Sequence, residues 1–266
     1  YYRPGHADYT FDEKYGFRDY RGGGRSSGRE TIGRVAAGAV AVKLLGQMGI
    51  ELYAYASAIG GIAMDRDSFN LEERDNNPFA MPDAGAALKI KKYADRKLEE
   101  CNSMGGIIEC VVKNMPAGIG EPVFDKLDAN LAKAIMSIGA VKGVEIGDGF
   151  AAADSTGLEN NDAFRMKDGH IVKQTNHAGG ILGGMSDGSD IILRAAVKPT
   201  PSIAATQHTV NKAGEEIDIS IHGRHDPMIV PRAVVVVEAM TAITLVDMLF
   251  MGMTSRLDRI ADFYKR

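Results

Sequence analysis

The sequence predicts a mixed helix and strand fold of the α+β class with α/β-like stretches, on three observations. Long runs carry small and apolar residues at helical spacing, short runs between them alternate or are continuously apolar, and glycine-rich turns separate the two. With 266 residues, 45% of them hydrophobic, the chain can bury a sizeable core as one large domain or two small ones.

Residues 31–48 place Val35, Ala39, Val42 and Leu45 at helical spacing, with Gly46 and Gly49 as terminators. From Ile50 to Ile62, Ile50, Leu52, Ala54 and Ala56 alternate with Glu51, Tyr53, Tyr55 and Ser57, the period of a half-buried strand. Residues 65–83 are polar, with breakers at Asn76-Asn77-Pro78 and Met81-Pro82. Asp83 then caps a helix expected to reach about Ser103, with Gly105 as its stop. Ile107–Val112 reads as a strand. Leu127, Leu131, Ala134, Ile135 and Ile138 line one face of a helix, Val141–Ile146 is the next strand, and Gly147-Asp148-Gly149 turns it. Residues 151–170 form a polar excursion, and Thr175–Gly184 is too glycine-rich for a regular element. Ile191–Val197 returns to strand character, and Glu216–Ile221 alternates Ile217, Ile219 and Ile221 on one face. A long apolar helix covers about Pro231–Phe250, its methionines read as core filler. An arginine-bearing glycine loop precedes an apolar helix near each end of the chain, a weak echo of two similar halves.

The formal net charge of −4 argues against a general nucleic-acid binder, and the basic segment lacks interleaved stacking aromatics. Between positions 14 and 34, however, Lys14, Arg18, Arg21, Arg25, Arg29 and Arg34 face only Asp19 and Glu30, a local balance of +4. Gly22-Gly23-Gly24 inside that segment lets main-chain N–H groups turn toward an anion, and the following helix adds its dipole. Phosphate or carboxylate is the expected guest. Cys101 and Cys110 fit no zinc spacing and read as reduced thiols of a cytoplasmic protein. No apolar run approaches the roughly 20 uncharged residues of a membrane span. The chain opens on Tyr1 rather than methionine and reads as the middle of a longer text.

Seven ordered motifs then stand out: Arg3-Pro4-Gly5-His6-Ala7-Asp8; Lys14-Tyr15-Gly16-Phe17-Arg18-Asp19; the Gly22–Thr31 loop; Gly147-Asp148-Gly149-Phe150; the Asn176–Gly184 turn; Lys198-Pro199-Thr200; and Gly223-Arg224-His225-Asp226-Pro227 with Glu238-Ala239-Met240. In this order and over essentially the whole chain, they resemble the chorismate synthase family of the shikimate pathway. The resemblance implies a β-α-β sandwich of one domain, residues 1–266, assembled as a homotetramer. It implies a lyase that removes phosphate from 5-enolpyruvylshikimate 3-phosphate by anti-1,4 elimination to give chorismate. The cofactor implied is reduced FMN, in a family grouped with FAD- and NADP-linked flavoproteins, with NADPH as a conceivable reductant. No metal, nucleic acid or membrane is implied.

Taken alone, His6 reads as a hydrogen-bonded structural residue, and Asp226 as a helix cap or a partner of Arg224. The resemblance instead implies that His6 and Asp226 are the acid/base pair around the flavin. It assigns flavin contacts to Arg25, Ser26, Ser27, Gly139, Ala140, Gly183, Lys198, Pro199, Thr200, Pro201, Ser202 and Arg224, and substrate contacts to Arg18, Arg21 and Arg29. Gly139 departs from the asparagine common at that position, at a cost of about 0.5–1.5 kcal/mol if a side-chain amide makes the contact. The family's N-terminal Ser-His-Gly motif, whose histidine protonates the leaving phosphate, has no counterpart here, and His177 is the nearest substitute. A second reading is therefore a truncated chain that binds flavin or phosphate ligands without turnover.

Overall fold

The structure is a computed structural model, and it describes residues 1–221 and 226–265. In chain order its elements are α1 (Asp8–Tyr15), α2 (Thr31–Gln47), β1 (Glu51–Ile59), β2 (Ile62–Ala63), α3 (Glu73–Asn76), α4 (Ala84–Glu99), β3 (Gly106–Lys113), α5 (Leu127–Met136), β4 (Val141–Ile146), α6 (Gly157–Asn160), β5 (Phe164–Lys167), β6 (His170–Lys173), β7 (Ile181–Leu182), β8 (Met185–Ser186), β9 (Ile191–Val197), β10 (Gln207–Val210), β11 (Glu216–Ile219), α7 (Val230–Gly252) and α8 (Leu257–Tyr264). The main sheet has five strands in the order β2-β1-β3-β9-β4, and three two-stranded sheets pair β5 with β6, β7 with β8, and β10 with β11.

The chain divides into two compact units, each assembled from three segments. The first comprises Tyr1–Glu30, Ala56–Ile107 and Val197–Arg232. Its core gathers Ile59, Met81, Ile90 and Met104 around the β1–β2 hairpin, where Ala58 faces Ala63 across the Gly60-Gly61 turn. Asp83 caps α4 by accepting from Ala86 N at 3.0 Å and also holds Asp65 N at 2.9 Å, so its carboxyl titrates below the ordinary range, chiefly through the Asp65 bond. α4 stops at Glu99, short of the expected Ser103, because Cys101 turns the backbone to φ +53°.

The second unit comprises Thr31–Tyr55, Ile108–Ala196 and Ala233–Arg266. Leu45, Ile108, Leu127, Leu131, Ile135, Ile191, Leu193 and Leu245 form its core. α5 buries Leu127, Leu131 and Ile135, the face its spacing predicts. In α2 the expected face holds at buried Leu45 and half-buried Val35 and Val42 but fails at Ala39, which is exposed, while Gly38 and Ala41 are buried in its place. The reason is a close helix approach, since a Cβ on Gly38 would lie 2.3 Å from Ala239 Cβ in α7.

Three further expectations change. In β1, Tyr55 and Ser57 are buried along with Ala54 and Ala56, so both faces of the strand are covered. The β5–β6 hairpin begins in the polar excursion and runs beyond its expected end, registered Phe164 to Lys173 and Met166 to Ile171, and the Thr175–Gly184 segment includes β7. By length and composition α7 is apolar enough to cross a membrane, although half of that stretch is buried within the fold and its Glu238 accepts a hydrogen bond from Ala54 N at 3.0 Å.

Candidate functional site

The first unit brings four of the expected residues together around His6. Gly5 adopts φ +71°, a conformation glycine takes freely, and a Cβ there would lie 2.7 Å from Pro201 Cβ. This close approach seats the Lys198–Ser202 stretch against the Gly5-His6 turn. Lys198 Nζ donates to Gly5 O at 2.7 Å, and Ser103 Oγ donates to Thr200 O at 2.6 Å. The His6 ring is half-buried, with Nδ1 3.0 Å from Pro4 O and Nε2 2.9 Å from Ser202 Oγ. Burial is the main force holding its pKa below the usual 6.5; Arg3 and Lys198 act in the same direction, and the Pro4 carbonyl and Asp8 oppose them.

Beneath His6, Asp8 forms a hub. It accepts from Arg3 N at 3.0 Å, Arg3 Nε at 2.8 Å and Arg3 Nη2 at 2.7 Å, and Arg18 Nη1 lies 3.5 Å away. Burial works against its charge, but the Arg3 hydrogen bonds and the two guanidinium charges bring its pKa down to about 2. Arg18 also reaches Asp12 at 3.3 Å and donates to Tyr1 O at 2.6 Å, so its guanidinium braces the N-terminal segment.

The basic loop closes part of its expected anion cradle. It folds into two 3-10 turns, Gly24–Ser26 and Gly28–Glu30, whose amides close inward: Ser26 N on Gly23 O, Ser27 N on Gly24 O and Glu30 N on Ser27 O. The Ser26 and Ser27 hydroxyls likewise donate to Gly23 O and Gly24 O, at 2.6 and 2.7 Å. These donors are used within the loop, while no donation by the Gly22, Gly23 or Gly24 amides is seen among the described residues. Arg21 is held by Asp19 at 2.9 Å, whereas exposed Arg25 and Arg29 have no ion-pair partner among the described residues.

Asp226 pairs with Arg232 Nη1 at 2.7 Å, a partner the sequence reading did not consider. Arg224 lies outside the described residues. Gly139, Ala140 and Gly183 belong to the second unit. Gly139 is exposed with open space at its Cβ position, and Ala140 and Gly183 take φ +73° and +59°.

His177, also in the second unit, has a partner that sequence reading missed: its Nδ1 lies 2.6 Å from Asp148 Oδ2. The turn beneath it is tightly built. A Cβ on Gly147 would sit 2.1 Å from His177 O, Arg194 Nη2 donates to Gly147 O at 2.7 Å, and Asp162 accepts from His177 N and Ala178 N at 2.8 and 3.0 Å. Lys173 joins Asp162 to Asp187 at 2.9 and 2.7 Å, all three side chains nearly inaccessible. Asp162 sits in a polar stretch with nothing in its neighbours to mark it.

One further observation bears on a flavin. The Thr200 hydroxyl is buried with no hydrogen-bond partner, in the middle of the Lys198–Ser202 stretch. With Ser202 beside it and partnerless Arg25 and Arg29 on the basic loop of the same unit, the side chains present suit a ligand with polar ring edges and a phosphate.

A half-buried imidazole held at both nitrogens, a buried hydroxyl without a partner among the described residues and a basic loop lie in a fold of the α+β class, an arrangement compatible with an enzyme for anionic ligands. The comparisons agree. A family model described as chorismate synthase matches residues 1–250. The chain is 69% identical over 266 residues to the chorismate synthase of Lachnospira eligens, covering 100% of this chain and 73% of the relative. It is 67% identical to that of Agathobacter rectalis, covering 100% and 72%, and 54% identical to that of Archaeoglobus fulgidus, covering 96% and 72%. A crystal structure of a chorismate synthase superposes with a TM-score of 0.77 at 30% identity, covering 97% of this chain and 75% of that one. The chain belongs to the chorismate synthase family, lyases of the shikimate pathway and aromatic amino acid biosynthesis.

Proposed function

We propose that the chain converts 5-enolpyruvylshikimate 3-phosphate to chorismate by anti-1,4 elimination of phosphate, with His6 as its proton carrier. The observation that carries this reading is the His6 ring, half-buried and bonded at both nitrogens, so a proton can be held at or released from a fixed atom. Reduced FMN, when bound, would supply transient electron density and basicity at this site. Around it, Thr200 and Ser202 would meet polar edges, while Arg25 and Arg29 would meet phosphate and carboxylate oxygens through charge-assisted hydrogen bonds. Lys198 fixes the Gly5 carbonyl and so the turn that carries His6. Asp226 is the second acid/base group, held meanwhile by Arg232. Gly139, Ala140, Gly183, Pro199, Pro201, Ser26, Ser27 and Arg224 remain proposed flavin contacts, and Arg18 and Arg21 proposed substrate-site residues, on the strength of family membership. The family's homotetramer, a cytoplasmic location and NADPH or an external donor as reductant belong to the same reading. No observation favours binding without turnover.

The test is anaerobic incubation of the chain with chemically reduced FMN and 5-enolpyruvylshikimate 3-phosphate, following chorismate by ultraviolet absorbance. The chain is expected to form chorismate, and His6→Ala to lose roughly 10²–10⁴ in kcat while keeping its fold. An active His6→Ala variant would remove His6 from the mechanism.

A further inference from the structure

We infer that Ser202 is the positioning residue of His6, holding the imidazole so that Nε2 is the nitrogen that takes up and gives away the proton. This rests on the reading of His6 as the proton carrier. The assignment follows from donor and acceptor chemistry. The Pro4 carbonyl, 3.0 Å from Nδ1, can only accept, so Nδ1 carries a hydrogen in the neutral ring. The lone pair then lies on Nε2, facing the Ser202 hydroxyl at 2.9 Å, and that hydroxyl donates to it.

When His6 is protonated, both ring nitrogens donate, Pro4 O and Ser202 Oγ accept, and the hydroxyl hydrogen rotates away. Both states are thus satisfied without moving the ring. A hydroxyl permits this because it is both donor and acceptor; a carbonyl or an ammonium at the same place would serve one state only. On release, the Ser202 side chain rotates aside, the Nε2–H bond breaks as the proton passes to the reacting partner in its place, the electron pair stays on Nε2, and the serine hydroxyl returns to donate to the freed lone pair. Uptake reverses these events. Ser202 keeps its own proton throughout.

The scaffold holds this pair closely although 196 residues separate it. Pro201 packs against Gly5, and Lys198 and Ser103 tie down the two strips of backbone that carry the hydroxyl and the ring. The charged groups acting on the ring are Arg3 and Lys198, which disfavour its charge, and Asp8, which favours it.

The test uses the full chain with ¹⁵N-labelled histidine and long-range ¹H–¹⁵N spectra, His6 being assigned by loss of its signals in His6→Asn. Above its titration, His6 is expected to show a protonated Nδ1 and a bare Nε2. In Ser202→Ala this preference is expected to decline, with kcat down about tenfold, the rate equivalent of one hydrogen bond, and with the kcat pH profile displaced. Ser202→Thr is expected to restore the tautomer. An Nε2–H tautomer in the parent chain, or a Ser202→Ala variant with unchanged tautomer and pH profile, would overturn the inference. A fully active His6→Asn would instead overturn the reading of His6 as proton carrier, whatever the tautomer.

Discussion

Asp8 shows how single residues prepare this site. Its carboxylate is 6% exposed, and it gathers three donors from Arg3 and a contact from Arg18 directly under the His6 turn. Its folded pKa of about 2 lies below the ordinary 3.8, so its contribution to stability is fully present above 3.8 and is lost as pH falls from there toward 2. Asp8→Asn is therefore expected to destabilise the chain by about 2 kcal/mol at neutral pH. Urea unfolding at a series of pH values checks this: the parent and variant curves should converge near the lower pKa, and a gap independent of pH would exclude a charge effect. His6 works in the same direction at higher pH. Its folded pKa is depressed, so its neutral form carries no penalty above 6.5, and a penalty grows as pH falls below that value. The Gly-His-Ala-Asp motif was legible in the sequence as a family motif, and His6 taken alone read as a hydrogen-bonded residue, which its contacts to Pro4 O and Ser202 Oγ bear out. Ser202 as the partner of His6 was not legible, because nothing local in either segment reports a contact across 196 positions.

Among the elements, those whose residues differ strongly from face to face were read well. α5 and β9 lie where their spacing puts them, and β4 matches to the residue. α2 was placed correctly and its covered side was read at Val35, Val42 and Leu45, but Ala39 was chosen where Gly38 is the buried residue. The helix is apolar on nearly every side, so periodicity cannot choose a face, and the choice falls to the smallest residue at the helix crossing. This yields a test. In an exposed helix Gly→Ala gains about 1 kcal/mol. Gly38→Ala is expected to lose about 1–3 kcal/mol instead, because its methyl would overlap Ala239. Combining it with Ala239→Gly should recover part of the loss, read as the urea midpoint. A stabilising Gly38→Ala would show that the two helices separate readily at this point. The β5–β6 hairpin escaped notice for a related reason: every one of its residues except Lys173 is exposed, so no buried alternation marks it.

At the scale of the whole molecule, the chain passes between its two compact units five times, three of them inside β1, β3 and β9. Neither unit is a contiguous piece of sequence. A single domain over 1–266 is therefore our proposal, and one cooperative transition is expected, with far-ultraviolet dichroism and tyrosine fluorescence giving coincident urea curves. Two separated transitions would mean that the units unfold independently. The +4 segment in a chain of net charge −4 is likewise visible only at this scale, as a local concentration of positive charge that composition averages away.

The two cysteines divide along the same lines as the fold. Cys101 is exposed, whereas Cys110 is wholly buried in β3 and its thiol is pushed up to about 12, mainly by burial. At ordinary pH almost no thiolate exists at Cys110, and no reagent can reach it. Alkylation of the native chain thus stops after one adduct per molecule, and the second appears only as fast as the sheet opens. The protein carries its own clock for the opening of its core.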